Sequence, residues 1–287
     1  MRIIFFILSI LPLKIAFVVF DIFFRLVPLR FFAFFPAFQV TKRNLSIAFP
    51  EMSYFDLECL SKESYKETLK SVYETFYAWS RSNKKIIYQT RRINNRFLFN
   101  NQNNQNGLIL FALHNRSIDF MLSWIGSQRV HTSLYKKIKI NSVNRYVKKI
   151  REIGGSKMVE TGVGGVKTIL SALENNQMTC MASDQVPADG LGTYSTFFNH
   201  ECYSFSLAPR LAKKSMKEIL MSYISYDKNI GYIMNFTKPH HKIYSSIGVD
   251  VMNKEMEQVI KKIPAEYSWE YKKFRKLSSE PKDIYKS

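Results

Sequence analysis

Two short stretches, residues 108–113 (LILFAL) and 178–182 (MTCMA), constrain this chain most. Each is apolar without a polar alternation, the pattern of a strand covered on both faces. Strands of that kind belong to parallel sheets, whose crossovers lay helices over both sides. The sequence around them agrees. Helical patterns at 120–125, 144–153 and 163–174 alternate with strand-like runs at 130–134 and 157–159. Further on, 207–214 reads as a helix, and 219–226 with 230–236 as an antiparallel pair turning at Asp227-Lys228-Asn229. A last amphipathic helix is expected at 253–263. The predicted fold is therefore α/β, a mixed, mostly parallel sheet flanked by helices.

Before the sheet, residues 42–88 read as helical, with Ser53 as an N-cap ahead of Asp56 and Glu58. The polar tract 100–107 (NNQNNQNG) reads as a loop leading into the first buried strand.

Residues 1–38 differ in kind: MRIIFFILSILPLKIAFVVFDIFFRLVPLRFFAFFPAF. A spanning helix needs about 20 mostly apolar residues. The run 3–24 is about that long, but Pro12, Lys14, Asp21 and Pro28 interrupt the segment. It reads as a retained membrane-anchoring segment, either spanning or lying in the interface with its charged residues toward water. No small-residue cleavage site follows it, so a signal peptide is disfavoured. Residues 39–287 form the second expected unit, the main body of the chain. Basic residues cluster just after the anchor at Arg25, Arg30, Lys42 and Arg43, which places that body on the cytoplasmic side.

Formal net charge is +19, from 42 Lys and Arg against 23 Asp and Glu. An excess of that size favours anionic partners. Its densest part is Lys136, Lys137, Lys139, Arg145, Lys148, Lys149, Arg151 and Lys157 with one acid, Glu152. That stretch suits a dock for lipid phosphates or for an acidic carrier protein, or else a solvated helix face. The three cysteines, Cys59, Cys180 and Cys202, contain no C-x-x-C pair, so neither a disulfide framework nor a zinc site is expected. His240-His241 reads as a surface turn between strands, and His131 and His200 lack ligand spacing. Neither a metal nor a cofactor is expected.

Chemistry concentrates at His114-Asn115-Arg116-Ser117-Ile118-Asp119, directly after the first buried strand. The C-terminal ends of such strands are where α/β folds place reactive groups. On one continuous helix His114 and Asp119 would point about 140° apart. His114 therefore belongs to the turn, with Asp119 folding back from the first helical turn. So placed, Asp119 accepts from one imidazole nitrogen and leaves the other as a general base. The spacing equally suits a histidine at a helix start beside an ordinary N-terminal acid.

These residues, with three further stretches in order, resemble the lipid A late (secondary) acyltransferases, a family marked by His-x-x-x-x-acid. Arg43-Asn44-Leu45 through Phe49-Pro50-Glu51-Met52-Ser53 resembles its N-terminal signature. Asp184-Gln185 with Gly190 and Phe197-Phe198 resembles its central one, and Pro264-Ala265-Glu266-Tyr267-Ser268-Trp269 through Phe274-Arg275 its C-terminal one. The resemblance runs over roughly residues 10–280. It implies a bacterial inner-membrane enzyme that moves an acyl chain from acyl carrier protein to a hydroxyl of an anionic lipid A precursor. His114 and Asp119 would be the catalytic pair, and the substrate hydroxyl the nucleophile. It also implies substrate-side roles for Arg151, Asp184 and Gln185; the basic stretch adds Lys136 and Lys137, and backbone amides or Arg116 are expected to stabilise the oxyanion. Two departures stand out. Asp119 replaces the more frequent Glu, and Tyr135-Lys136-Lys137 replaces Tyr-Arg-Pro, losing a bidentate fork. Acylation of a lysophospholipid is the neighbouring alternative, and a non-enzymatic membrane or nucleic-acid binder a more remote one. No nucleic-acid partner is expected.

Overall fold

The computed structural model describes residues 1–101, 105–279 and 283–285. Part of the expected loop at 100–107 therefore lies outside the described residues. Helices α1 (Arg2–Leu8), α2 (Leu13–Leu26), α3 (Leu29–Phe32), α4 (Pro36–Ala48), α5 (Tyr54–Ser80) and α6 (Asn83–Gln89) come first. Then follow β1 (Thr90–Asn94), α7 (Arg96–Phe99), β2 (Leu108–Ala112), α8 (Ile118–Gln128), β3 (His131–Tyr135), α9 (Asn141–Arg151) and β4 (Lys157–Glu160). The chain continues through α10 (Val163–Glu174), β5 (Met178–Ala182), the pair β6 (Gly192–Phe197) and β7 (His200–Phe205), α11 (Leu207–Ser215), β8 (Glu218–Asp227), β9 (Gly231–Thr237) and α12 (Gly248–Lys262).

Seven strands form one sheet in the order β1-β9-β8-β2-β5-β3-β4. Only the β8–β9 hairpin is antiparallel; the other five pairings are parallel. The α/β expectation holds. β2 sits in the middle, and all five of its residues are buried. Its alternating side chains feed two cores: Ile109 and Phe111 pack among α10, α11 and α12, while Leu108, Leu110 and Ala112 pack beneath α8. That two-sided burial is why the strand carries no polar alternation. Gly165 is required at the start of α10, because a Cβ there would stand 2.0 Å from the Glu160 carbonyl oxygen.

The expected helix at 42–88 is divided. α4 ends at Ala48 before Pro50, and α5 begins where Ser53 Oγ accepts the Asp56 N–H at 3.1 Å. β1 and the β6–β7 hairpin had no counterpart in the pattern reading. The hairpin turns on Phe198 and Asn199, both left-handed, and a buried phenylalanine is not a turn residue by composition. His240 and His241 lie exposed between β9 and α12, not between two strands.

The N-terminal helices lean on the body. Phe5, Leu13, Ala16, Phe17 and Phe24 are buried, and Leu13 and Phe17 share a core with Tyr77 and Phe120. Asp21 is turned toward α5, pairing with Lys70 at 2.7 Å and Lys66 at 3.1 Å, while Lys14 faces outward. The opposite face is apolar and exposed at Ile3, Ile7, Ile15, Val18, Ile22 and Leu26. Among the described residues no single helix is long and apolar enough to cross a membrane. α1 and α2 together have the length and composition of a broken span, bent by 49°.

Candidate active site

The site is built by strand register. β2 and β5 run parallel with Ala112 opposite Ala182, and Ser183 N–H donates to the Ala112 carbonyl at 2.8 Å. Two residues further along each strand stand His114 and Asp184. Asp184 Oδ1 is 2.8 Å from His114 Nδ1, and Oδ2 accepts the His114 backbone N–H at 3.0 Å. This pairing fixes the imidazole with Nδ1–H toward the carboxylate and leaves Nε2 unprotonated in the neutral ring. Gln185 Nε2 lies 3.5 Å from that Nε2. Burial alone would push the imidazole down, but the charge and hydrogen bond of Asp184, helped by Glu270, outweigh it and hold the ring above its ordinary value. Asp184 moves the opposite way: burial would raise it, and pairing with His114 holds it below the usual carboxylate range.

Asp119 does something else. From the first turn of α8 its two oxygens grip Arg151, at 2.7 Å to Nε and 3.0 Å to Nη2. The hydrogen bond expected from His114 to Asp119 is thus replaced by one from His114 to Asp184. The helix carries Asp119 toward α9, whereas the parallel neighbour strand delivers Asp184 to the imidazole.

Arg116 also departs from expectation. It sits in a left-handed turn and is buried against three carboxylates: Glu67 at 2.6 Å, Glu74 at 3.0 Å and Glu266 at 3.4 Å. Glu74 takes the Ser117 N–H as well, at 3.1 Å. With its charge so engaged and its side chain inside the protein, Arg116 shapes the 114–117 turn and does not line the cavity.

That cavity is lined by His114 among others and holds about 840 Å3. Ile118, Met121, Leu122, Met158 and Cys180 give it an apolar interior. Lys136, Lys137, Arg151, Arg275 and Lys276 supply positive charge, and Gln185 lies beside the histidine. Of the basic stretch, then, Lys136, Lys137 and Arg151 reach the site, while Arg145 and Lys149 are exposed on α9. Cys180 is a buried thiol pushed up to about 12 by burial, which keeps it protonated. Among the described residues no group of His, Cys, Asp and Glu is arranged to hold a metal ion.

The flanking signatures converge on the same turn. Ser268 N–H donates to the His114 carbonyl at 3.0 Å, and Arg116 N–H to the Glu266 carbonyl at 3.3 Å. Burial and the neighbouring Asp184 charge push the Tyr267 hydroxyl well above its ordinary value. Asn44 Nδ2 donates to the Trp269 and Tyr271 carbonyls at 2.6 and 2.8 Å. Phe49, Phe198 and Trp269 meet as three mutually packed rings. Lys273 Nζ donates to the Asp184 carbonyl at 2.8 Å, buried. Glu67 and Glu74 escaped sequence reasoning, and Tyr267 and Lys273 entered it only as members of the C-terminal signature, because a charged or polar residue on a helix or loop reads as solvated until its partner is known. Spacing along α5 offered one hint: Glu67 and Glu74 are two turns apart, on one face.

The sequence model described as bacterial lipid A biosynthesis acyltransferase matches residues 2–276, nearly the whole chain. Comparison with curated proteins returns no match. The chain belongs to the bacterial lipid A biosynthesis acyltransferases.

Proposed function

We propose that this acyltransferase moves a fatty acyl chain from an acyl thioester, carried by acyl carrier protein, to a hydroxyl of a lipid A precursor. The observation that carries the reading is the His114–Asp184 pair, with His114 lining the apolar cavity. The thioester's chain lies among Met121, Leu122 and Met158. His114 Nε2 takes the proton of the acceptor hydroxyl as its oxygen bonds to the thioester carbon. The tetrahedral intermediate then collapses, the carbon–sulfur bond breaks, and His114 returns the proton to the departing thiolate. Asp184 keeps the tautomer and stabilises the imidazolium, as the acid of a serine hydrolase triad does, with the substrate hydroxyl in place of the enzyme's serine. Asp119 holds Arg151 at the cavity wall, and Arg151, Lys136 and Lys137 meet the anionic acceptor. No step calls on a metal or cofactor.

We further propose attachment to the inner membrane with the cavity on the cytoplasmic side, and the exposed apolar face of α1–α3 supports the attachment. The deciding experiment incubates the purified chain with acyl carrier thioester and a lipid A precursor and reads products by mass spectrometry. Transfer by the wild type and a loss of several orders of magnitude in His114→Ala is the expected result. Near-normal transfer by His114→Ala overturns the general-base reading. Transfer to lysophospholipid but not to the precursor overturns the acceptor.

A further inference from the structure

Away from the active-site cavity, a second groove of about 420 Å3 opens where the start of α1 crosses the junction of α5 and α6. Its lining combines three cations, Arg2, Arg81 and Lys85, with Ile3 and Phe6, and includes no carboxylate. The Arg81 guanidinium is fixed in place. Its Nη1 donates to Ser80 Oγ at 3.0 Å and its Nη2 to the Ser9 carbonyl at 2.8 Å, and it stacks 4.0 Å above the Phe6 ring. Arg2 donates through Nε to the Ser80 carbonyl at 3.1 Å, which leaves its two terminal nitrogens for another partner. Lys85 is exposed, and among the described residues neither Arg2 nor Lys85 has a carboxylate partner. From this charged end an apolar strip continues along the outer face of α1 through Ile3, Phe6 and Ile7, each at least 45% exposed.

We infer that this groove binds one anionic phospholipid, its phosphate held between Arg2, Arg81 and Lys85 and an acyl chain lying over Ile3, Phe6 and Ile7. Charge complementarity selects the occupant. Three unneutralised cations favour a phosphate, and the adjoining apolar strip favours one that carries a hydrocarbon chain. The inference rests on the membrane attachment proposed above and adds a headgroup preference to it. The groove shares no lining residue with the His114 cavity, so the lipid is a resident of the fold and not a substrate.

The test uses the full chain purified in neutral detergent, with bound lipid counted by native mass spectrometry during titration with short-chain phosphatidylglycerol, phosphatidylcholine or inorganic phosphate. One phosphatidylglycerol per chain is expected, preferred over phosphatidylcholine. Lys85→Gln should weaken it roughly fivefold, and Arg2→Gln with Lys85→Gln roughly 25-fold. His114→Ala and Arg30→Gln should leave it unchanged. Lys85→Gln touches an exposed side chain and keeps the comparison interpretable if the double variant is unstable. Equal binding of phosphatidylcholine, displacement by millimolar inorganic phosphate, or full binding by Lys85→Gln overturns the site. Membrane recovery in cell fractionation reports on attachment separately: a wild type recovered with membranes but without preference for phosphatidylglycerol defeats this site alone, and a wild type not recovered with membranes defeats the attachment.

Discussion

Asp184 holds His114 at two points, the ring Nδ1 at 2.8 Å and the main-chain N–H at 3.0 Å, while Asp119, five residues from the histidine in sequence, is spent on Arg151. The two carboxylates therefore predict different phenotypes.

A general base works only when unprotonated, so activity falls as pH drops through the His114 pKa, which Asp184 holds above its ordinary value. Asp184→Asn should lower kcat by about 10^2- to 10^4-fold. It should also move the acid limb of the pH–rate profile to lower pH, because the stabilising charge is gone. Full pH profiles of Asp184→Asn and Asp119→Asn decide the matter. A limb that moves further in Asp119→Asn identifies Asp119 as the partner instead.

Asp119→Asn should be felt as lost stability. It leaves the half-buried Arg151 guanidinium with half its pairing removed, at a cost of about 1.5–3 kcal/mol. Thermal or urea unfolding measures this, and a change within 0.5 kcal/mol, by the usual range of surface substitutions, would place the pair in solvent.

Asn44→Ala removes two donors from the Trp269 and Tyr271 carbonyls and a contact with the Tyr285 hydroxyl. Orphaning buried carbonyls costs about 1–3 kcal/mol each. The segment they anchor reaches His114 through Ser268, so kcat should fall along with stability. A variant that loses stability but retains full kcat would separate the C-terminal segment from the active turn.

His131 is buried, and burial pushes its pKa down to about 4. A group depressed on folding binds its proton more readily when unfolded. Its contribution is therefore complete above the unfolded histidine value, near 6.5, and is lost as pH falls toward 4. The loss is on the order of 3 kcal/mol. Denaturant midpoints from pH 7 to 4 should fall more steeply in the wild type than in His131→Asn; parallel slopes would remove His131 as the cause.

Leu122→Phe adds side-chain bulk that takes space from the cavity's apolar interior. Each methylene refused a place there costs about 0.8 kcal/mol, so preference should move to shorter donors by roughly fourfold per methylene. Competition among acyl carrier thioesters of different length reads this directly, and an unchanged preference would place the acyl chain elsewhere.

Local pattern determined a good deal by itself. The unalternating run at 108–112 required burial on both faces, hence a central parallel strand, and the histidine after it fell at the strand end where such sheets gather chemistry. Ser53 was a cap because its hydroxyl needs only a backbone three residues away. Tertiary structure decided the partners. His114 meets Asp184 because β5 lies beside β2, and nothing over the intervening 70 residues encodes that neighbour locally. Arg116 looked like a free donor until Glu67, Glu74 and Glu266 closed around it from two remote segments. A side chain's type and its place on a helix or strand follow from short-range geometry. Which charge it meets depends on how the elements pack, and in this protein that packing set the roles of Asp119 and Arg116.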